Sequence, residues 1–366
     1  MQASRNHRPS VPPLPIAGTR GAACRPTAGG IVVVLLVFLF LPATAAARQV
    51  EDCFGRTVTV PDQVHRIVVL SRDMLELVRA VEAMPLVVGV SDTLLRDPEF
   101  WPELRGKPMV GRWSEPDYEA VATLHPDLLL AYGRYPGPEA GAKLAAAGIP
   151  ILRLEVYMLS GFDQAARTLG IVLGREAAME KLLAWRADKF ARLAACRRRT
   201  TSRPLVYLEG FQRQQAWGPG TAGNESLGAA GARNMAAGLP TSYGEVSPEW
   251  VLAGQPDAVI KVTSCNKRYQ ATDDTALREE AQSILTRPGY DAINAVHQGK
   301  VSVLASEIHG GPRAPVGTAY EFRWLHPGIC PDIDPAAWNT EYLEKFQHVP
   351  AQGFYAWPEP DERGPQ

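Results

Sequence analysis

Along the chain, short dense apolar runs alternate with segments whose apolar residues return every three or four positions. Ile67-Val68-Val69-Leu70, Pro85–Val90, Leu128–Ala131 and Ile151–Leu154 are of the first kind and read as buried strands. Between them, Met74–Ala83, with Asp73 as its N-cap, and Glu139–Ala147 read as helices. Val58 and Val60 alternate with threonines before Pro61, the pattern of a small edge strand. The rhythm returns after residue 200. Strands are predicted at Leu205–Glu209, Ala258–Val262 and Val301–Leu304, and helices at Ser247–Ala253, Thr275–Leu285, Val316–Leu325 and Pro335–Phe346. Alternating strands and helices predict an α/β fold with mostly parallel sheets.

One phrase occurs in both halves. Asp117–Ala131 reads DYEAVATLHPDLLLA, and Val246–Lys261 reads VSPEWVLAGQPDAVIK. Each predicts a short helix carrying one glutamate (Glu119, Glu249), a Pro-Asp turn and a buried strand. Two similar lobes, each offering one carboxylate, suit docking better than catalysis. Between them, residues 163–199 contain no proline and space Leu169, Leu173, Leu182, Trp185, Phe190 and Leu193 on a helical period. Gly170 and Gly174 can break the segment early. The clean part, Glu176–Arg197, would be about 33 Å long at roughly 1.5 Å per residue, enough to join two lobes. Two ordinary surface helices fit the same spacing. The expected layout is a leader over 1–47, an N-terminal lobe over 48–160, a connecting helix over 161–199 and a C-terminal lobe over 200–347. The proline-rich tail, 348–366, is expected to be disordered.

The leader changes the charge and the compartment. Arg5, Arg8, Arg20 and Arg25 precede the apolar run Ile31–Leu41 and the small-residue end Ala45-Ala46-Ala47, which together have the form of a secretory signal peptide. The run of 11 residues is shorter than the roughly 20 a membrane span needs. Losing four arginines and no acids takes the formal net charge from −1 to −5. An acidic chain without a basic stripe does not suit nucleic acid. Cys24 leaves with the leader, and Cys53, Cys196, Cys265 and Cys330 then allow three complete pairings, among which the sequence does not choose.

Several stretches together resemble one family. They are GRTVTVP followed five residues later by RIVVLS, the two glutamate helices, PGYDAINAVHQGKVSVL, and GPRAPVGTAYEFRWLHP with DIDPAAWNTEYLEKF. The chain is similar to periplasmic solute-binding proteins that deliver iron-siderophores, haem or cobalamin to ABC importers. That resemblance implies two α/β lobes with mostly parallel central sheets, facing each other across a shallow cleft and joined by a long rigid backbone helix. It implies that Glu119 and Glu249 meet arginines of a permease dimer that works with ATPase subunits. It also implies a monomer exported to the periplasm. The family's Gly-Gly-Asn turn is replaced by Ala230-Gly231-Ala232-Arg233-Asn234, which puts close backbone approach there in doubt.

In open α/β lobes, ligands meet the loops beyond the carboxyl ends of the strands. Those loops carry Arg72, Trp113, Tyr132, Arg134, Tyr135 and Tyr157 in the first half, and Trp217, Arg268, His309 and Arg313 in the second. Arginine forks suit oxygen-rich ligands, and aromatic rings cover apolar faces. Arg134 and Arg313 are expected to hold the ligand from opposite lobes. His309 could ligate a metal or hydrogen-bond a ligand. No clustered set of His, Cys and carboxylates offers a bare metal site, so no intrinsic cofactor is expected. The metal, iron above all, should arrive in an organic chelator such as a siderophore, with cobalamin, haem or a nickel or cobalt chelate as the alternatives. The chain has no G-x-S-x-G elbow, H-E-x-x-H helix or Walker loop, and reads as a binding protein rather than an enzyme.

Overall fold

A computed structural model describes residues 47–264 and 268–360. Its first lobe runs β1 (Ala47–Glu51), β2 (Thr57–Pro61), β3 (Ile67–Val69), α1 (Arg72–Ala80), β4 (Val87–Val90), α2 (Tyr118–Thr123), β5 (Leu128–Tyr132), α3 (Glu139–Ala146) and β6 (Ile151–Leu154). Strands β4-β3-β5-β6 form a parallel sheet. Every residue of β3 is buried, as its unbroken apolar run requires. Two helices follow, α4 (Phe162–Leu173) and α5 (Glu176–Arg197). The second lobe contains β7 (Leu205–Glu209), β8 (Gln215–Trp217), α6 (Ala222–Ala229), β9 (Arg233–Asn234), β10 (Tyr243–Glu245), α7 (Pro248–Gly254), β11 (Ala258–Thr263), α8 (Thr275–Leu285) and α9 (Asn294–His297). It ends with β12 (Val301–Ala305), α10 (Ser306–His309), α11 (Ala314–Leu325), α12 (Pro335–Phe346) and β13 (Ala356–Trp357). Here β7, β11 and β12 are parallel, flanked by antiparallel β8, β10 and β13. Among the described residues, no helix is long and apolar enough to cross a membrane.

The repeated phrase has a physical cause. In each lobe the residue before the Pro-Asp pair, His125 or Gln255, takes a left-handed conformation with φ of 43° or 39°. The following aspartate then clamps the start of the neighbouring strand. Asp127 Oδ2 accepts from the backbone N–H of His65 and Arg66 at 2.7 and 2.8 Å, and Asp257 Oδ2 accepts from that of Leu205 at 2.7 Å. Each clamp fixes the entry of a central parallel strand at the end away from the ligand loops.

The long helix behaves as a connector. Gly174, at φ of 62°, ends α4, and the 22 residues of α5 pack on α1 of the first lobe and on α6 and α11 of the second. Arg186 of α5 lies over the Phe162 ring at 3.7 Å and donates to the carbonyls of Gly311 and Pro312 at 2.7 and 2.9 Å. A disulfide joins Cys196, at the end of α5, to Cys330. Cys53 is free and exposed, and Cys265 lies outside the described residues.

Several expectations need correction. Ser71, not Asp73, caps α1: its Oγ accepts from Met74 N at 3.4 Å. Strand β1 pairs with β2 from Ala47 onward, so the hairpin has a first strand that the polar sequence ARQVE concealed. The expected leader, apart from Ala47, lies outside the described residues. The tail is not disordered over 348–360. Ala356 and Trp357 add β13 to β12, Tyr355 is buried, and Trp324 Nε1 donates to Pro358 O at 2.9 Å. Aromatic side chains, rather than backbone propensity, hold this proline-rich segment. At the altered glycine turn, Gly231 alone supplies the close approach: at φ of 82°, an added Cβ would lie 3.1 Å from Arg197 Cγ and His326 Nε2.

The lobes are latched by a buried carboxylate. Glu76 of α1 accepts from Arg313 Nε and Nη2 at 3.2 and 2.8 Å, from Arg72 Nε at 3.1 Å and from Tyr342 Oη at 3.1 Å. Its backbone carbonyl accepts from Gln347 Nε2 at 3.0 Å. Burial pushes the Glu76 pKa up, but Arg313 and Arg72 outweigh it and hold the carboxyl below its usual range. Removing one partner of a buried pair strands the other. Arg313→Met should therefore lower the free energy of unfolding in urea by about 3–5 kcal/mol, and adding Glu76→Leu should recover much of that loss.

Candidate functional site

Both lobes bring aromatic side chains to the carboxyl ends of their strands. From the first lobe, Trp113 and Tyr135 meet edge to face at 4.8 Å between ring centroids, and Tyr132 meets Tyr157 at 6.4 Å. From the second, Trp217 is surrounded edge to face by Phe211 at 5.2 Å, Tyr243 at 5.8 Å and His309 at 5.2 Å. Gly210 makes room for that indole, since an added Cβ would lie 1.7 Å from Trp217 Nε1. The two groups touch where Tyr157 Oη lies 3.4 Å from His309 Nδ1. Gly310 and Gly311 permit this contact. A Cβ on Gly310 would strike the Tyr157 ring at 2.4 Å, and one on Gly311, at φ of 64°, would strike Asp73 Oδ1 at 2.2 Å. Tyr135, Phe211 and Tyr243 remain 47%, 50% and 53% exposed. Rings this large, left exposed close to one another, make this a candidate binding surface.

Among the described residues, the polar groups that meet here include phenols and the Glu155 carboxylate. Glu155 accepts from the backbone N–H of Tyr157 at 3.2 Å and hydrogen-bonds to Tyr132. Burial raises its pKa, against the pull of those hydrogen bonds. Burial, then the charge of Glu155, also raises Tyr132 and Tyr243, so both phenols stay protonated donors. Beneath them, burial and the neighbouring Glu76 push Asp73 up to about 7.

Of the sequence-predicted residues, Trp113, Tyr132, Tyr135, Tyr157 and Trp217 come together here. His309 backs the cleft but does not open to it: it is fully buried, and burial pushes its pKa down to about 3. Its Nε2 lies 3.6 Å from Glu321 Oε1, and burial pushes Glu321 up to about 8. No group of three His, Cys or carboxylate side chains that could hold a metal occurs among the described residues. Glu321 also accepts from Ser226 Oγ. That hydroxyl faces the carboxyl in the core, so the trio offers no exposed nucleophile.

The predicted arginines lie elsewhere. Arg313 is fully buried in the Glu76 latch and is not open to the cleft. Arg72 is engaged by Glu76, lies 3.6 Å from Asp97 and covers the Phe100 ring at 4.6 Å. Arg268 is buried against the ordered tail, where its carbonyl accepts from Phe354 N at 3.3 Å. Arg134 is exposed and lines a separate pocket with β2 and α3.

Sequence reasoning placed the loop from Phe211 to Trp217 at the ligand end of the second lobe, but missed Glu155 and Tyr243 as site residues. The internal repeat held a signal for Tyr243. It stands four residues before the helix cap Ser247, as Trp113 stands four before the cap Asp117. The same repeat places Glu119 and Glu249 in the exposed first turns of α2 and α7, where the helix dipole favours a carboxylate. Backbone and Ser247 hydrogen bonds hold Glu249 below the usual carboxylate range.

The buried Glu321 gives a pH signature. From above 4.5 up to about 8 the folded chain keeps a proton on Glu321 that the unfolded chain has released, and above 6.5 the opposing proton on His309 of the unfolded chain is more than half lost. Stability from this group must therefore fall as pH rises through that window. Melting curves should shift downward from pH 6.5 to 8, and Glu321→Gln should flatten the shift; an unchanged slope would place the proton elsewhere.

A cobalamin-binding protein of Halobacterium salinarum is 27% identical over 260 residues, which span 65% of this chain and 69% of the relative. The molybdate-binding protein MolA of Haemophilus influenzae is 24% identical over 350 residues, 86% of this chain and 95% of MolA. The structure of MolA bound to molybdate superposes with a TM-score of 0.72 at 20% identity, over 84% of this chain and 100% of that one. The haem-binding RhuT from Roseiflexus sp. RS-1 superposes with a TM-score of 0.59 at 26% identity, over 72% and 100%. The sequence pattern of the periplasmic binding protein family matches residues 67–308, and the chain belongs to that family.

Proposed function

We propose that this protein is the solute-binding subunit of an ABC importer in the periplasm. It captures a metal chelate with broad apolar faces, of the cobalamin kind, and delivers it to a permease dimer driven by ATPase subunits. One observation carries the choice of ligand: two aromatic walls face each other, and none of the four predicted arginines stands between them. Rings recognise flat or bulky apolar surfaces, while phenols and Glu155 suit amide and hydroxyl edges. A polyanionic ferric siderophore or an oxyanion would need the guanidinium forks that are engaged elsewhere. The cobalamin-binding relative supports this reading. Haem is the second reading, favoured by the likeness to RhuT. The metal needs no protein ligand, because the chelator supplies its coordination.

Delivery falls to Glu119 and Glu249. Each is exposed at the start of a short helix in an equivalent place on its lobe, so the pair presents two carboxylates to two permease subunits. Exposed carboxylates facing arginines give orientation and a fast encounter more than affinity.

Cyanocobalamin should quench the fluorescence of Trp113 and Trp217 saturably. Tyr135→Ala and Tyr243→Ala should each weaken binding by about tenfold, the equivalent of roughly 1.4 kcal/mol. Unchanged affinity in both would remove the aromatic walls from recognition. Glu119→Lys/Glu249→Lys should bind cyanocobalamin normally and melt normally, yet fail to support uptake or to stimulate the importer's ATPase. Normal uptake by that variant at normal export would contradict the docking assignment.

A further inference from the structure

A second pocket, of about 880 Å³, opens on the flank of the first lobe between β2, α3 and the start of β6. Its size is that of a small-molecule site. Val58, Ile149, Ile151, Pro138 and Ala145 supply an apolar lining. Arg56, Arg134 and Arg153 stand against it with one acid, Asp52. That acid is already engaged: Asp52 Oδ2 accepts from Arg56 at 2.9 and 2.7 Å, and Oδ1 accepts from the backbone N–H of Phe54 and Arg56.

Arg153 is the anomaly. It is only 6% exposed, yet among the described residues no carboxylate lies within ion-pair distance of its guanidinium. Its Nη1 and Nη2 make only long contacts, 3.4 and 3.3 Å, to the carbonyls of Gly133 and Gly137. Burial, and then the charge of Arg56, holds its pKa below the usual value. A buried cation beside a second cation is costly unless an anion joins it. Arg134, which sequence reasoning assigned to the main cleft, is exposed at the same pocket. Gly141 of α3 lines the pocket, and an added Cβ there would meet nothing within 4 Å.

We propose that this pocket is a second ligand site, for a free anionic amphiphile whose carboxylate meets Arg153 and Arg134 and whose alkyl chain lies along Val58, Ile149 and Ile151. The site does not depend on the cleft between the lobes. Decanoate serves as the probe in calorimetric titration of the full chain. Inorganic phosphate tests the anion alone, decyltrimethylammonium the chain alone, and phosphatidylglycerol vesicles a bilayer source. Decanoate should bind saturably at one site, while the other soluble probes bind at least about tenfold more weakly and the vesicles do not sediment the protein. Arg134→Ala and Arg153→Met should each weaken decanoate by about tenfold. Gly141→Leu, which fills that space and favours the helix, should abolish binding without lowering the melting temperature. Tyr135→Ala should leave decanoate binding intact, and Gly141→Leu should leave cyanocobalamin binding intact. Absence of saturable decanoate binding, equal binding of phosphate, vesicle sedimentation in place of decanoate binding, or full binding by Gly141→Leu would each overturn the assignment.

Discussion

The buried ion pair between Glu76 and Arg313 sets the geometry on which the rest depends. A carboxylate in the interior must be matched, and here the partners come from both lobes and from the C-terminal helix: Arg72, Arg313 and Tyr342. The pair therefore brings α1 against the segment that opens α11. The same segment contains Gly310 and Gly311, whose missing side chains let Tyr157 and Asp73 come close. The cleft floor follows from one charge-matching requirement and two positions without a Cβ.

This arrangement explains why charge is scarce among the cleft groups. Arg72 and Arg313 are engaged in the latch, Arg268 lies under the ordered tail, and Arg134 faces the flank. Among the described residues, those that meet there bring aromatic area, the phenols of Tyr132 and Tyr243 held protonated, and the Glu155 carboxylate. Such a surface gains from burying apolar faces and placing a few directional hydrogen bonds. A matched pair of exposed carboxylates stands at the helix starts of the repeat, so on the proposed reading capture and delivery would use different physical interactions.

Much of the architecture was legible in the chain. Unbroken apolar runs such as Ile67–Val69 and Leu128–Ala131 gave the buried strands, and the proline-free stretch from Glu176 to Arg197 gave the connecting helix. The repeat marked the equivalent helices and, through Trp113 and Tyr243, the equivalent aromatic positions. Other features depended on partners distant in sequence. Arg313 reads as a loop arginine until Glu76, 237 residues away, is seen beside it. The ordered tail depends on Trp324 and Tyr355 finding places in the second lobe, which backbone propensity does not express. Neither arginine partners nor aromatic docking leaves a local pattern.

On the proposed reading, the cleft recognises its solute through aromatic faces rather than through cationic side chains. The most direct test is the salt dependence of cyanocobalamin affinity, from low ionic strength to about 0.5 M, where charge pairing is screened within a few ångströms. Binding should be tight, with an affinity that changes less than about threefold across that range. Binding that weakens by tenfold or more, or no binding at any salt concentration, would contradict that reading.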